Sequence, residues 1–205
     1  MPEMWRENRP WLAVCLGLAV WLAWTHVAPA ASLYRIDQRY GRIDFSVGTL
    51  GLFTTEGRFP RFVGELLLDV EQPERSRIDV NIDADAAEMP LPDQADLLRS
   101  DSYFDTAHHP NEHFVSTSVQ ALSPEHYVIH GLLTIRGVTQ PQDLDAILQN
   151  RHMDLERRAE VADFVVSGRI KRSDFGMVAD RIMVSDTVKL DIHMHLTVGL
   201  GPDGQ

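Results

Sequence analysis

An all-β fold of about eight antiparallel strands, either a sandwich or a closed barrel, is what this sequence predicts. Two observations carry that prediction. Residues 188–196 read Val-Lys-Leu-Asp-Ile-His-Met-His-Leu, an unbroken alternation of apolar and polar side chains. Strand side chains point to opposite faces in turn, so Val188, Leu190, Ile192, Met194 and Leu196 share one face. Lys189, Asp191, His193 and His195 share the other, whereas a 3.6-residue period would scatter both sets around a helix. The second observation is that the same alternation recurs along the chain between turn residues, while only one stretch reads as helix.

The first thirty residues stand apart. Arg6 and Arg9 precede an uncharged apolar run from Trp11 to Trp24, and Ala28-Pro29-Ala30-Ala31-Ser32 then supplies small residues. Basic, apolar and small residues in that order make residues 1–31 a secretory signal peptide, cut after Ala30 or Ala31. The apolar run is shorter than the roughly 20 residues that span a bilayer, so an uncleaved anchor is the less favoured reading. Cys15 is the single cysteine and lies in this run. The exported chain therefore has no disulfide, no thiolate metal site and no cysteine nucleophile. Cleavage removes Glu3 and Glu7 together with the two arginines and leaves the formal net charge at −11. An acidic domain without Lys/Arg clusters argues against nucleic acid and anionic membrane surfaces as partners, and against stable membrane insertion once the signal is cut.

The exported part reads as one domain, residues 32–199, followed by a short tail at 200–205. Ile43, Phe45 and Val47 alternate with Asp44 and Ser46. Phe62, Gly64, Leu66, Leu68 and Val70 alternate less cleanly with Val63, Glu65, Leu67 and Asp69. Ile78, Val80 and Ile82 alternate with Asp79, Asn81 and Asp83, and Val115, Thr117 and Val119 oppose Phe114, Ser116 and Ser118. Tyr127, Ile129, Gly131, Leu133 and Ile135 form a long fifth strand. Leu144–Leu148 is a weak sixth, Phe164, Val166, Gly168 and Ile170 a strong seventh, and 188–196 the eighth.

Gln72-Pro73, Ser123-Pro124, Gln140-Pro141 and Asp174-Phe175-Gly176 are the turn signals between them. Pro92-Asp93 leads into Gln94-Ala95-Asp96-Leu97-Leu98-Arg99, a short helix with Asp93 as N-cap, suited to covering one end of the sheet. Gly64, Gly131 and Gly168 fall in mid-strand among inward residues. They mark either bends at barrel corners or room for a ligand.

Chemistry has little support in the residues. His108, His109 and His113 share one expected loop, and His193 and His195 share a strand face. Two histidines at i and i+2 can ligate one metal, but exposed histidines on a wet face are more often solvated, so no metal is expected. There is no Gly-x-Ser-x-Gly elbow, His-Glu-x-x-His helix or phosphate-binding glycine loop, and no catalytic residue is assigned. Arg99-Ser100-Asp101 and Arg172-Ser173-Asp174 read as turn chemistry, with Ser and Asp capping backbone N–H groups and Arg pairing with a carboxylate.

Leu97-Leu98-Arg99-Ser100-Asp101-Ser102-Tyr103-Phe104-Asp105, then His109-Pro110 and Phe114-Val115-Ser116-Thr117, resembles a signature segment of the YceI-like family. Leu133-Thr134-Ile135-Arg136-Gly137-Val138-Thr139-Gln140-Pro141 and Arg172-Ser173-Asp174-Phe175-Gly176-Met177 resemble two more. Tyr34-Arg35-Ile36-Asp37 and Gly57-Arg58-Phe59 are similar to the family's opening strands. The order and spacing agree from Tyr34 to about Val198. The resemblance implies an antiparallel eight-stranded lipocalin-like barrel with one short helical segment, exported to the periplasm. It further implies non-catalytic binding, sequestration or carriage of an isoprenoid-type or other long-chain amphiphilic lipid, with no cofactor besides that ligand.

The candidate lining residues are the inward Phe45, Val47, Leu66, Ile82, Ile129, Leu133, Phe164, Val166, Ile192 and Met194. Plain core packing is their alternative role, and alternation does not separate the two. A ligand-free barrel acting as a periplasmic partner-binding or stress-response module is the competing function, and a homodimer is admitted as a further assembly. The chain departs from the family at Tyr40-Gly41, where His-Ser is common, so no contact from that histidine carries over. It also departs in the charged stretch Asn150–Arg158, read as a solvated hairpin loop.

Overall fold

Alternation of apolar and polar residues produces ten strands in one antiparallel sheet. They are β1 (Ser32–Ile36), β2 (Arg42–Thr49), β3 (Phe53–Phe59), β4 (Phe62–Leu68), β5 (Arg77–Asp83) and β6 (Asn111–Ala121), followed by β7 (His126–Ile135), β8 (Val138–Asp154), β9 (Ala159–Lys171) and β10 (Val184–Val198). One helix, α1 (Pro92–Arg99), and 3-10 turns at Pro73–Arg75 and Arg172–Phe175 complete them. The computed structural model describes residues 32–36, 41–69, 72–156 and 159–198. The expected signal peptide, Tyr40 and the tail at 200–205 lie outside the described residues.

The sheet runs β1-β4-β5-β6-β7-β8-β9-β10-β2-β3, and β1 pairs again with β10, so the sheet curls back on itself. Ten strands replace the expected eight because β1 and β3, at the segments that resemble the family's opening strands, are not among the eight read from alternation. β1 and β2 follow one another along the same edge of β10, with Ile36 opposite Leu196 and Ile43 opposite Ile192. β3 and β4 follow one another likewise, opposite β2 and β1. Pro60 separates them, and its missing N–H and fixed φ end the ladder there.

Four local expectations are corrected. β6 has a bulge between Ser116 and Ser118, so Phe114 and Val119 are both buried on the inner face, whereas strict alternation puts them on opposite faces. Gln140-Pro141 lies inside β8. The turn is Arg136-Gly137, both at positive φ (53° and 71°), the two-residue hairpin geometry that matches strand twist. Pro141 sits opposite Leu132, ahead of Leu144, where the pairing to β9 begins, so no β9 partner needs its absent N–H. Residues 150–154 continue β8 opposite 159–163 instead of forming a loop. Helix α1 is capped by the extended Leu91 and not by Asp93, because Pro92 is already shaped for the first helical position.

The seams between strands are unequal. β9 and β10 pair without a break from Thr187 to Thr197, whereas β5 and β6 pair only over Asp79–Asp83 and Asn111–Val115. Beyond that, the Ser116 hydroxyl takes the Ile78 N–H at 2.9 Å where a ladder carbonyl would otherwise stand.

Gly131 marks neither a corner nor space for a ligand. A Cβ built there would lie 2.4 Å from Phe114 Cζ and 2.7 Å from the Val115 carbonyl oxygen. The missing side chain lets the Phe114 ring lie flat on β7. Gly131→Ala is expected to destabilise the protein by about 1–3 kcal/mol, since both ring and backbone must shift. Urea unfolding measures it, and an unchanged midpoint would mean that the ring has an alternative seat.

Candidate functional site

The inward residues leave a cavity of about 210 Å³. One water needs roughly 10–15 Å³, so this void is far larger than a packing defect. All ten residues singled out from the sequence are on its wall: Phe45 and Val47 from β2, Leu66 from β4, Ile82 from β5, Ile129 and Leu133 from β7, Phe164 and Val166 from β9, and Ile192 and Met194 from β10. Period-two alternation on each strand brings them together. Phe45, Leu66, Ile129, Leu133, Phe164 and Val166 are buried, while Val47, Ile82, Ile192 and Met194 are half-buried.

Aromatic rings shape the interior. Phe45 and Phe59 stand 5.2 Å apart between centroids, and Phe59 meets Phe104 edge-on at 5.6 Å. Tyr127 meets Phe164 edge-on at 6.2 Å, nearer the other end. Such tilted and edge-on pairs add to the apolar burial of the rings. Phe59, Phe104 and Phe114 also line the wall and were not among the ten. Phe114 was hidden by the β6 bulge, and Phe104 belongs to a loop with no periodicity to read.

A few polar side chains break the apolar wall. Arg172, 3% exposed, gives Nε to the Ser185 carbonyl at 3.0 Å, one terminal nitrogen to Met177 at 2.9 Å and the other to Val184 at 3.0 Å. Its expected carboxylate partner is absent among these bonds. The guanidinium instead ties a carbonyl of the loop before β10 to those of the first two residues of that strand. Arg99 does both, holding the Asp96 carboxylate and the carbonyls of Asp85 and Ala87. Tyr103 donates to Asp180 at 2.8 Å, and burial with that bond pushes its hydroxyl up to about 12. Tyr127 donates to the Pro124 carbonyl, and burial raises it as well.

Glu112 is the exception to this pattern. It is 3% exposed, on the same face of β6 as Phe114, and it lines the cavity. Its carboxyl accepts the Arg136 backbone N–H, at 3.1 Å to one oxygen and 3.5 Å to the other. Burial pushes it up to about 8, outweighing the lowering by that hydrogen bond and by the Arg136 charge.

Four strand histidines are paired with aspartates. His113 belongs to β6 and not to a loop, and it contacts Asp79 at 2.8 Å. His130 contacts Asp143 at 2.7 Å, His193 lies 3.2 Å from Asp191, and His195 pairs with Asp163. Each cross-strand pair joins neighbouring strands on the wet face. Among the described residues no group of three or more His, Cys, Asp or Glu could hold a metal ion. No helix among them is long and apolar enough to cross a membrane.

Known proteins share this architecture. Residues 34–196 match the YceI-like domain. A UPF0312 protein of Shewanella denitrificans is 33% identical over 183 residues, covering 88% of this chain and 94% of its own. The protein YceI of Salmonella arizonae is 30% identical over 173 residues, covering 83% and 90%. Among solved structures, BcnA of Burkholderia cenocepacia superposes with a TM-score of 0.70 at 21% identity, covering 78% of this chain and 98% of its own. A domain from Saccharophagus degradans, a polyisoprenoid-binding domain implicated in plant cell wall breakdown, superposes at 0.59 with 14% identity, covering 82% and 99%. At those identities the two structures speak to the fold. With the family match spanning most of its length and relatives at 30% identity or above, the chain belongs to the YceI-like family.

Proposed function

We propose that this protein is a non-catalytic container that sequesters or carries an isoprenoid-type or other long-chain amphiphilic lipid. The observation that carries the reading is the apolar cavity with all ten candidate residues on its wall. An interior filled by side chains would favour the ligand-free module, and the void runs against it. Polyisoprenoid binding by the Saccharophagus degradans domain, a member of the same fold, supports the choice of ligand class.

The ten strands are read as eight staves of a lipocalin-like barrel, with β1 and β2 forming one stave and β3 and β4 another. An eight-stranded barrel encloses just enough space for one small ligand. Burial supplies the affinity. A 40-carbon chain presents several hundred Å² of apolar surface, and at roughly 25 cal/mol per Å² its enclosure is worth on the order of 10 kcal/mol before entropy costs. The ten residues are proposed as the lipid contacts, and no further cofactor is proposed. Residues 1–31 are proposed to export the protein to the periplasm and to be removed there.

Protein purified from its native compartment is expected to release a long-chain apolar molecule into organic solvent, identified by mass spectrometry. A blank extract, together with no uptake of added isoprenoid quinone or alcohol, would refute the container reading.

A further inference from the structure

We propose that Glu112 is the polar anchor of the cavity: a protonated carboxyl that donates its proton to an oxygen of an uncharged lipid head group. A quinone carbonyl or a prenyl alcohol would be held, and phosphorylated or carboxylate heads would be turned away. The proposal rests on the lipid-container reading and adds the head-group class to it.

The geometry leaves Glu112 with a donor to spare. Its oxygens share one backbone N–H, from Arg136, and among the described residues no ammonium or guanidinium pairs with them. A bare carboxylate in an apolar wall is costly, and the carboxyl avoids that cost by holding its proton. A proton held there makes the carboxyl a hydrogen-bond donor on the cavity wall. The other polar wall groups are engaged. Arg172 is spent on three carbonyls, Tyr103 on Asp180, Tyr127 on the Pro124 carbonyl, and the Gln142 amide on the Asp143 carbonyl. Ser76 accepts the Asp69 N–H. A ligand oxygen entering this end of the cavity therefore meets a free donor at Glu112.

The charged groups on the neighbouring elements are committed elsewhere. On β5, Asp83 holds Arg61 and the Ala86 N–H. On β6 itself, His113 is turned to Asp79 on the outer face. Next to β7, the Arg136 guanidinium donates to the carbonyls of Gly176 and Asp101. In the loop before β6, Asp105 pairs with His108, and His109 packs by Gly137. Of these, only the Arg136 charge bears on Glu112, and burial outweighs it. An anionic head would meet no uncommitted cation here, and its charge would be buried in an apolar wall without a counter-ion.

The test uses the purified protein with geranylgeraniol and geranylgeranyl phosphate as probes, at pH 6 and pH 9.5, in the parent, Glu112→Gln and Glu112→Leu. At pH 6 the parent is expected to bind the alcohol at least about tenfold more tightly than the phosphate, because the phosphate would bury a charge without a counter-ion. Its affinity for the alcohol falls at pH 9.5 as the proton is lost. Glu112→Gln keeps a neutral donor and loses the pH dependence. Glu112→Leu holds the hydrocarbon but binds the alcohol more weakly than the parent does at pH 6, and its affinity for the alcohol does not change with pH. Equal binding of both probes by the parent, or the parent's pH profile persisting in Glu112→Gln, would overturn the head-group assignment alone. Failure of the parent to bind either probe at either pH would overturn the container reading, and this one with it.

Discussion

At pH 9 the Glu112→Gln protein should be more stable than the parent by about 5 kcal/mol, and at pH 4 the two should unfold alike. The sign follows from where the proton sits. An ordinary carboxyl releases its proton near 4.5, whereas burial holds the proton on Glu112 up to about 8. Between those values the unfolded chain has lost a proton that the folded protein still keeps, so raising the pH favours unfolding. The parent therefore loses about 1.4 kcal/mol per pH unit across that window and no more above it. Below the window both states are protonated and the penalty vanishes. Glutamine has the same shape and never ionises, so its profile lacks this slope. Urea unfolding of both proteins at pH 4, 7 and 9 measures the difference. Parallel profiles would mean that Glu112 ionises in the fold as easily as in water.

Val166→Asp is expected to abolish lipid uptake and to cost about 3–5 kcal/mol, the usual toll of an uncompensated buried charge. Val166 is 7% exposed, lies opposite Ala146 on β8 and Ile192 on β10, and looks into the cavity. The side chains opposite it, Ala146 and Ile192, offer a carboxylate no counter-ion. Should the aspartate variant fail to fold, Val166→Phe tests the same surface without a charge. It fills part of the void, costs about 1–3 kcal/mol through crowding, and should weaken uptake of a bulky isoprenoid. A folded variant of either kind that takes up lipid normally would remove Val166 from the lining.

The dry faces of β2, β5, β7, β9 and β10 are legible in the sequence because a two-residue period needs only local information. The same period fails at β6, where one extra residue near Thr117 reverses the faces and hides Phe114. Pro141 reads as a turn because proline is excluded from strands paired on both sides, and nothing local says that its stretch of β8 has one partner. Glu112 shares its face with Phe114 and was visible in principle as a carboxylate on an apolar side. Its partner is a backbone N–H contributed by the β7–β8 turn, which no sequence pattern announces. Alternation also says which way a side chain points but not how densely its face is filled. The cavity is therefore a property of the fold, and the ten wall residues were identifiable only as inward.

The unequal seams give the curled sheet a direction in which to open. A wall opens where the fewest ladder bonds must break at once, and local opening costs less than global unfolding. Between β9 and β10 the ladder is continuous, so separating them amounts to dismantling the protein. Between β5 and β6 it is short and ends on a serine hydroxyl, which can rotate away and let water take its place. Access for a long flexible chain through such a slit would be governed by a local equilibrium, separate from the stability of the whole. The molecule can then be durable along one side and permeable along the other.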